Sequence, residues 1–193
     1  NLKSIDLSNF NTSQVTNMSS MFRGTLYSSL NLSNFDTFNV IDMANMFYKC
    51  SSLNSLDLSN FETSKVNNMS FLFYNCFKLS QLNISNINTS SVANMNSMFC
   101  NCSSLNSLNL SNLDTSKTSN MSSMFIGCSL LTSLDLSNFD TSQVKNMNYM
   151  FYNCTNLNFL NLSNFDTSNV EYMNNFFYNC SSINTLDLSN FNV

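Results

Sequence analysis

Hydroxyls, thiols and carboxylates are the reactive groups of this chain, and each recurs at a fixed spacing. There is no His among the 193 residues. A serine hydroxyl needs a base to become a nucleophile, so the abundant Ser residues cannot form the usual His-dependent triads. The acids recur at exposed repeat positions with no insertion that would desolvate one of a pair, so carboxylate acid–base chemistry has no place to operate either. The chain is therefore read as no enzyme, with no catalytic residues and no cofactor.

Three columns remain. Cysteines stand at Cys50, Cys76, Cys102, Cys128, Cys154 and Cys180, with Cys100 out of register. Neighbouring coils of a stack would put their Cα atoms near disulfide range, but parallel side chains do not point at one another, which favours buried free thiols. No C-x-x-C pair and no His exist to complete a tetrahedral metal site, and no metal is assigned. A threonine column, Thr12, Thr37, Thr63, Thr89, Thr115, Thr141 and Thr167, is flanked by Asp36, Glu62, Asp114, Asp140 and Asp166. Such groups could order water or sugars, gather Ca²⁺ or meet ice. Capping of the following turn explains them without a ligand.

The third column is polar and alternates with leucine: Ser55 and Asp57 around Leu56, Gln81 and Asn83 around Leu82, Ser133 and Asp135 around Leu134. From it come the candidate binding residues, Asp57, Ser59, Asn83, Asn109, Asp135, Phe159, Asn161 and Asp187. Phe159 stands out as an apolar anchor in a polar field. The alternative is that outward strand positions simply need polar side chains.

These columns exist because the sequence repeats. Ser-Asn-apolar returns with its Ser at Ser8, Ser33, Ser59, Ser85, Ser111, Ser137, Ser163 and Ser189, a period of 26 with a single 25. Within a unit, Leu56-Asp57-Leu58 alternates as a short strand does, while Val66, Met69, Leu72, Phe73, Cys76 and Leu79 recur at steps of three and four, the stripe of a helical or 3₁₀-like turn. Thr63 and Ser64 sit where an N-cap belongs. One unit cannot bury its own apolar face, whereas stacked copies can. The expected architecture is an α/β solenoid of about seven and a half 26-residue units, with a parallel sheet on one face and short helical turns on the other. Eight strands about 4.8 Å apart make that sheet roughly 35 Å across.

Composition sets the limits on partners. Only 9% of residues are charged and the net charge is -4, without runs of one sign, which leaves no footprint for nucleic acid or an anionic membrane. No apolar run is long enough to span a bilayer, and no signal-peptide pattern opens the sequence. The chain starts and stops mid-unit at Asn1 and Val193, so residues 1–193 read as one solenoid domain cut from a longer protein.

The L-x-x-L-x-L core, as at Leu131, Leu134 and Leu136, followed by Met150, Phe151 and Cys154, resembles a leucine-rich repeat. The run LDLSNFDTSQVKNMNYMFYNCTNL, from Leu134 to Leu157, resembles the BspA-like bacterial surface proteins and the related mycoplasma lipoprotein repeat family. That resemblance extends over essentially the whole chain. It implies a cell-surface or secreted recognition module, adhesin-like, holding a protein or glycan on another cell or matrix. The competing role is structural, with solenoid ends stacking into stalks or filaments.

Overall fold

The computed structural model describes residues 4–192; residues 1–3 and 193, at the ends where the chain was read as starting and stopping mid-unit, lie outside that range. The chain is a repeat solenoid with parallel strands. Strand β1 (Ser55–Asp57) pairs with β2 (Gln81–Asn83), and β3 (Ser133–Asp135) with β4 (Phe159–Asn161), each residue opposite its counterpart 26 positions on. Alternation places Leu56 and Leu134 inside and Asp57 and Asp135 in solvent, as a one-sided strand requires.

The broad eight-stranded sheet is not present among the described residues. The strands form two separate two-stranded sheets among the described residues, extended at one side by a bridge from Ser29 to Ser55. The coil carrying Ser107 to Asn109 joins neither, and Leu108 is only half-buried where Leu56 is buried. Three-residue strands hold few hydrogen bonds each, so the coils need not keep ladder spacing on this side.

Continuous pairing lies elsewhere. Asn17, Asp42, Asn68, Asn94, Asn120, Asn146 and Tyr172 form an unbroken row of parallel bridges across successive coils. The Asn68 side chain accepts the N–H of Ser70 at 3.1 Å, and Asn120 that of Ser122 at 3.0 Å, so each asparagine also opens the following turn.

The helical turns are a second correction, and with them the α/β class. No helix occurs among the described residues; the stretch after Asn68 is a chain of tight turns. Leu72, Tyr74 and Cys76 donate to the carbonyls three residues back, while the intervening N–H groups of Met69, Phe71, Phe73 and Asn75 donate to the next coil at 2.8–3.1 Å. An α-helix sends every N–H to its own strand of chain and keeps φ negative. Here φ is +58° at Phe71 and +60° at Asn75, and the pattern recurs at Asn101, Asn153 and Asn179. Asparagine tolerates this left-handed region better than most residues. Tandem turns also bring every third or fourth residue inward, which is why their apolar spacing imitates a helix.

The interior is one continuous apolar cluster running from Leu7 to Phe176. Phe22, Phe47, Phe73, Phe99, Phe125 and Phe151 stack with ring centroids 5.6–5.7 Å apart. Beside them all seven thiols are free. Cys76, Cys102, Cys128 and Cys154 donate Sγ–H to a Phe carbonyl of the preceding coil at 3.1–3.2 Å.

The threonine column does not cap its own turns. The buried Thr63 hydroxyl donates to the Asn88 carbonyl and accepts the Asn88 N–H, both at 2.8 Å, and Thr141 treats Asp166 in the same way at 2.8 and 2.7 Å. Each threonine is a staple between coils. The neighbouring acids do the capping: Asp114 and Asp166 accept the N–H of Ser116 and Ser168 at 2.9 and 2.8 Å.

Candidate functional site

A hollow of about 800 Å³ opens on the strand face, spanning four successive coils. Its floor is Leu30, Leu56 and Leu82; its walls include Ser29, Ser55, Asp57, Gln81, Asn83, Ser107 and Asn109. A volume of this size lies in the range of small-ligand clefts, about 300–1,000 Å³.

The outward residue that ends each strand is held in place by its own backbone. The Oδ1 atoms of Asp57, Asn83 and Asn109 accept the N–H groups of Ser59, Ser85 and Ser111 at 2.9, 3.2 and 3.0 Å. Such a bond turns the chain out of the strand and fixes the side chain. With Oδ1 occupied, the second terminal atom is directed away from the backbone: a carboxylate oxygen at Asp57, an amide NH₂ at Asn83 and Asn109. The Ser59 hydroxyl, and then its N–H, hold the Asp57 carboxyl below the usual carboxylate range, so Asp57 is a charged acceptor near neutral pH.

The expected site residues divide into groups. Asp57, Asn83 and Asn109 line the main hollow, whereas Ser59 is half-buried outside its lining and donates its N–H to Asp57. Asp135 and Asn161 lie further along the same face, each accepting a serine N–H two residues on, at 3.0 and 3.1 Å. For Asp135 the Ser137 N–H, followed by its hydroxyl, lowers the carboxyl pKa. Phe159, 53% exposed, and Asp187 border a second hollow of about 530 Å³ together with Asn158 and Thr185. The eight residues are therefore spread along the face and are not all gathered in one hollow. Ser80 and Asn106, which also line the main hollow, precede the strand positions and carry no signal of their own in a sequence full of Ser and Asn.

The model of the family described as "Mycoplasma protein of unknown function, DUF285" matches residues 1–108 and 73–191. The chain belongs to this family. The two overlapping matches are what a repeat produces when one unit can align with the next, and the family is a mycoplasma one, as the Leu134–Leu157 run suggests. Solved structures of leucine-rich repeat proteins are similar to it. A leucine-rich cell surface protein of Faecalibacterium prausnitzii is 22% identical, over 73% of this chain and 33% of its own, with a TM-score of 0.47. The leucine-rich repeat protein of Treponema pallidum is 21% identical, over 80% and 76%, with a TM-score of 0.45. One from Bacteroides ovatus is 16% identical, over 89% and 52%, with a TM-score of 0.43. The chain thus spans a third of the Faecalibacterium protein and about half of the Bacteroides one. No curated protein matches it.

Proposed function

We propose that this member of the DUF285 family is a recognition module of the cell surface or the extracellular space, holding a protein or glycan partner against its strand face. The single observation that carries the reading is the hollow over four coils, because it gathers outward side chains whose positions are fixed by the backbone rather than left mobile. Pre-set donors and acceptors lose little conformational entropy when a partner arrives. A binding role fits this lining better than a catalytic one, since Asp57 is its one acid and faces solvent.

Adhesion of beads coated with the chain to intact cells and to extracted matrix tests the reading. Beads bearing the intact chain are expected to adhere, and a Gln81→Lys, Asn109→Lys variant to lose adhesion. A Ser103→Lys variant, altered outside the hollow, keeps it. Equal adhesion by all three chains, or by none, refutes the strand-face role.

A further inference from the structure

We propose that the strand-face hollow takes an uncharged linear oligosaccharide, lying along the solenoid axis with one sugar opposite each coil. This rests on the recognition reading above and names its ligand class.

Charge selects first. The hollow has one carboxylate, Asp57, and no Lys or Arg among its lining residues. A sulfated or uronic acid polymer would bring anions to a site with nothing to neutralise them, at a desolvation cost. Hydrogen-bonding chemistry selects next. Apart from the leucines of the floor, each lining side chain is a hydroxyl, an amide or the carboxylate, and a sugar hydroxyl both donates and accepts. Asp57 presents an acceptor beside the Asn83 side chain, which, after Ser59, also lowers its carboxyl pKa, and Asn109, with Oδ1 committed to Ser111, presents a donor. Ser55 and Gln81, at the start of β1 and β2, form a second column beside them, their side chains without a hydrogen-bond partner among the described residues. A row of mixed donors and acceptors suits a polyol.

Geometry selects last. The hollow runs from Ser29 through Ser55 and Gln81 to Ser107, one residue per coil. The two paired intervals, Ser29 to Ser55 and Ser55 to Gln81, at about 4.8 Å each give roughly 10 Å, close to the centre-to-centre span of three pyranose rings in an extended chain. A peptide would fit less well. Extended peptides bind through main-chain edges, whereas this face offers side chains, and its walls hold no aromatic or arginine anchor of the kind that dominates protein interfaces.

The Ser55→Ala, Gln81→Ala double variant tests the proposal without adding charge to the column of Asp57 and Asp135. It removes a hydroxyl and an amide that line the hollow and leaves the bonds of Asp57, Asn83 and Asn109 to their serines in place. The probes are immobilised neutral tetramers of β-1,4-glucose, β-1,4-mannose, β-1,3-glucose and β-1,4-N-acetylglucosamine, with heparin and polygalacturonate as the anionic set. The intact chain is expected to bind at least one neutral tetramer and neither polyanion. The double variant, with an unchanged unfolding midpoint, is expected to lose roughly tenfold or more in affinity, and Ser103→Lys, outside the hollow, to lose none. Absence of binding to every neutral tetramer, preference for the polyanions, or unaltered binding by the double variant overturns the proposal. If the beads still adhere to cells while no tetramer binds, the partner is a protein: the recognition reading stands and the glycan inference falls. If adhesion fails too, both fall.

Discussion

Thr63→Val tests whether the threonine column holds the coils together. The side chain is fully buried, and its hydroxyl makes two bonds of 2.8 Å to the backbone of Asn88 in the next coil. Valine keeps the shape and removes both. Each intramolecular hydrogen bond contributes a net of about 0.5–1.5 kcal/mol, and a partner stranded away from water costs about 1–3 kcal/mol. Asn88 is itself exposed, so water reaches part of its freed backbone and moves the expectation to the lower end. The predicted loss is about 2–3 kcal/mol, read as a lower urea midpoint by circular dichroism. Thr63→Ser retains both bonds and loses one methyl, for a predicted loss of about 1 kcal/mol. Thr118→Val is the internal control. Its buried hydroxyl donates to the Val92 carbonyl at 2.9 Å, but Val66, Val92 and Val144 fill the equivalent position in other coils. There the same substitution should change stability by less than about 1 kcal/mol. A Thr63→Val loss below about 0.5 kcal/mol, or a Thr118→Val loss as large as that of Thr63→Val, refutes the staple.

Three further outcomes are expected. Burial raises the thiols, pushing Cys100 and Cys128 up to about 12, so in the native state at pH 8 a disulfide reagent should label none of the buried cysteines on the timescale that labels all seven in denaturant; fast native labelling of Cys128 refutes their burial. Asp57, Asp135 and Asp187 have carboxyl pKa values lowered below the ordinary 3.8 by their serine partners. Their contribution is complete above that value and is lost as pH falls through the folded pKa, so urea midpoints should drop as the pH is taken below 3.8, less steeply in Asp57→Asn. A flat acid limb in the parent chain contradicts this. Gly127→Ala should destabilise more than Gly24→Ala. Both glycines have positive φ, +66° and +71°, but only at Gly127 would a Cβ collide with Oδ1 of Asn101, whose Nδ2 donates to Asn75. Equal melting temperatures for the two variants contradict the crowding.

The period, the inward leucines, the buried thiols and the outward Ser/Asp/Asn column were all legible in the sequence. Each follows from a local rule: a residue type repeated every 26 positions must stack, and an apolar residue flanked by polar ones must face in. The nature of the turn after Asn68 was not legible. Steps of three and four describe both a helix and a chain of tight turns, and the choice rests on whether alternate N–H groups find carbonyls in the next coil, as Met69 and Phe71 do. The same limit applies to Thr63, whose hydroxyl is suited to a cap but whose partners come from a coil 25 residues on. The candidate site shows it again. Sequence selected the column containing Asp57, Asn83 and Asn109, but where the sheet breaks, which coils share a hollow, and that Phe159 and Asp187 border a different one, depend on coil-to-coil spacing. That spacing is set by packing between units too similar in sequence to reveal it.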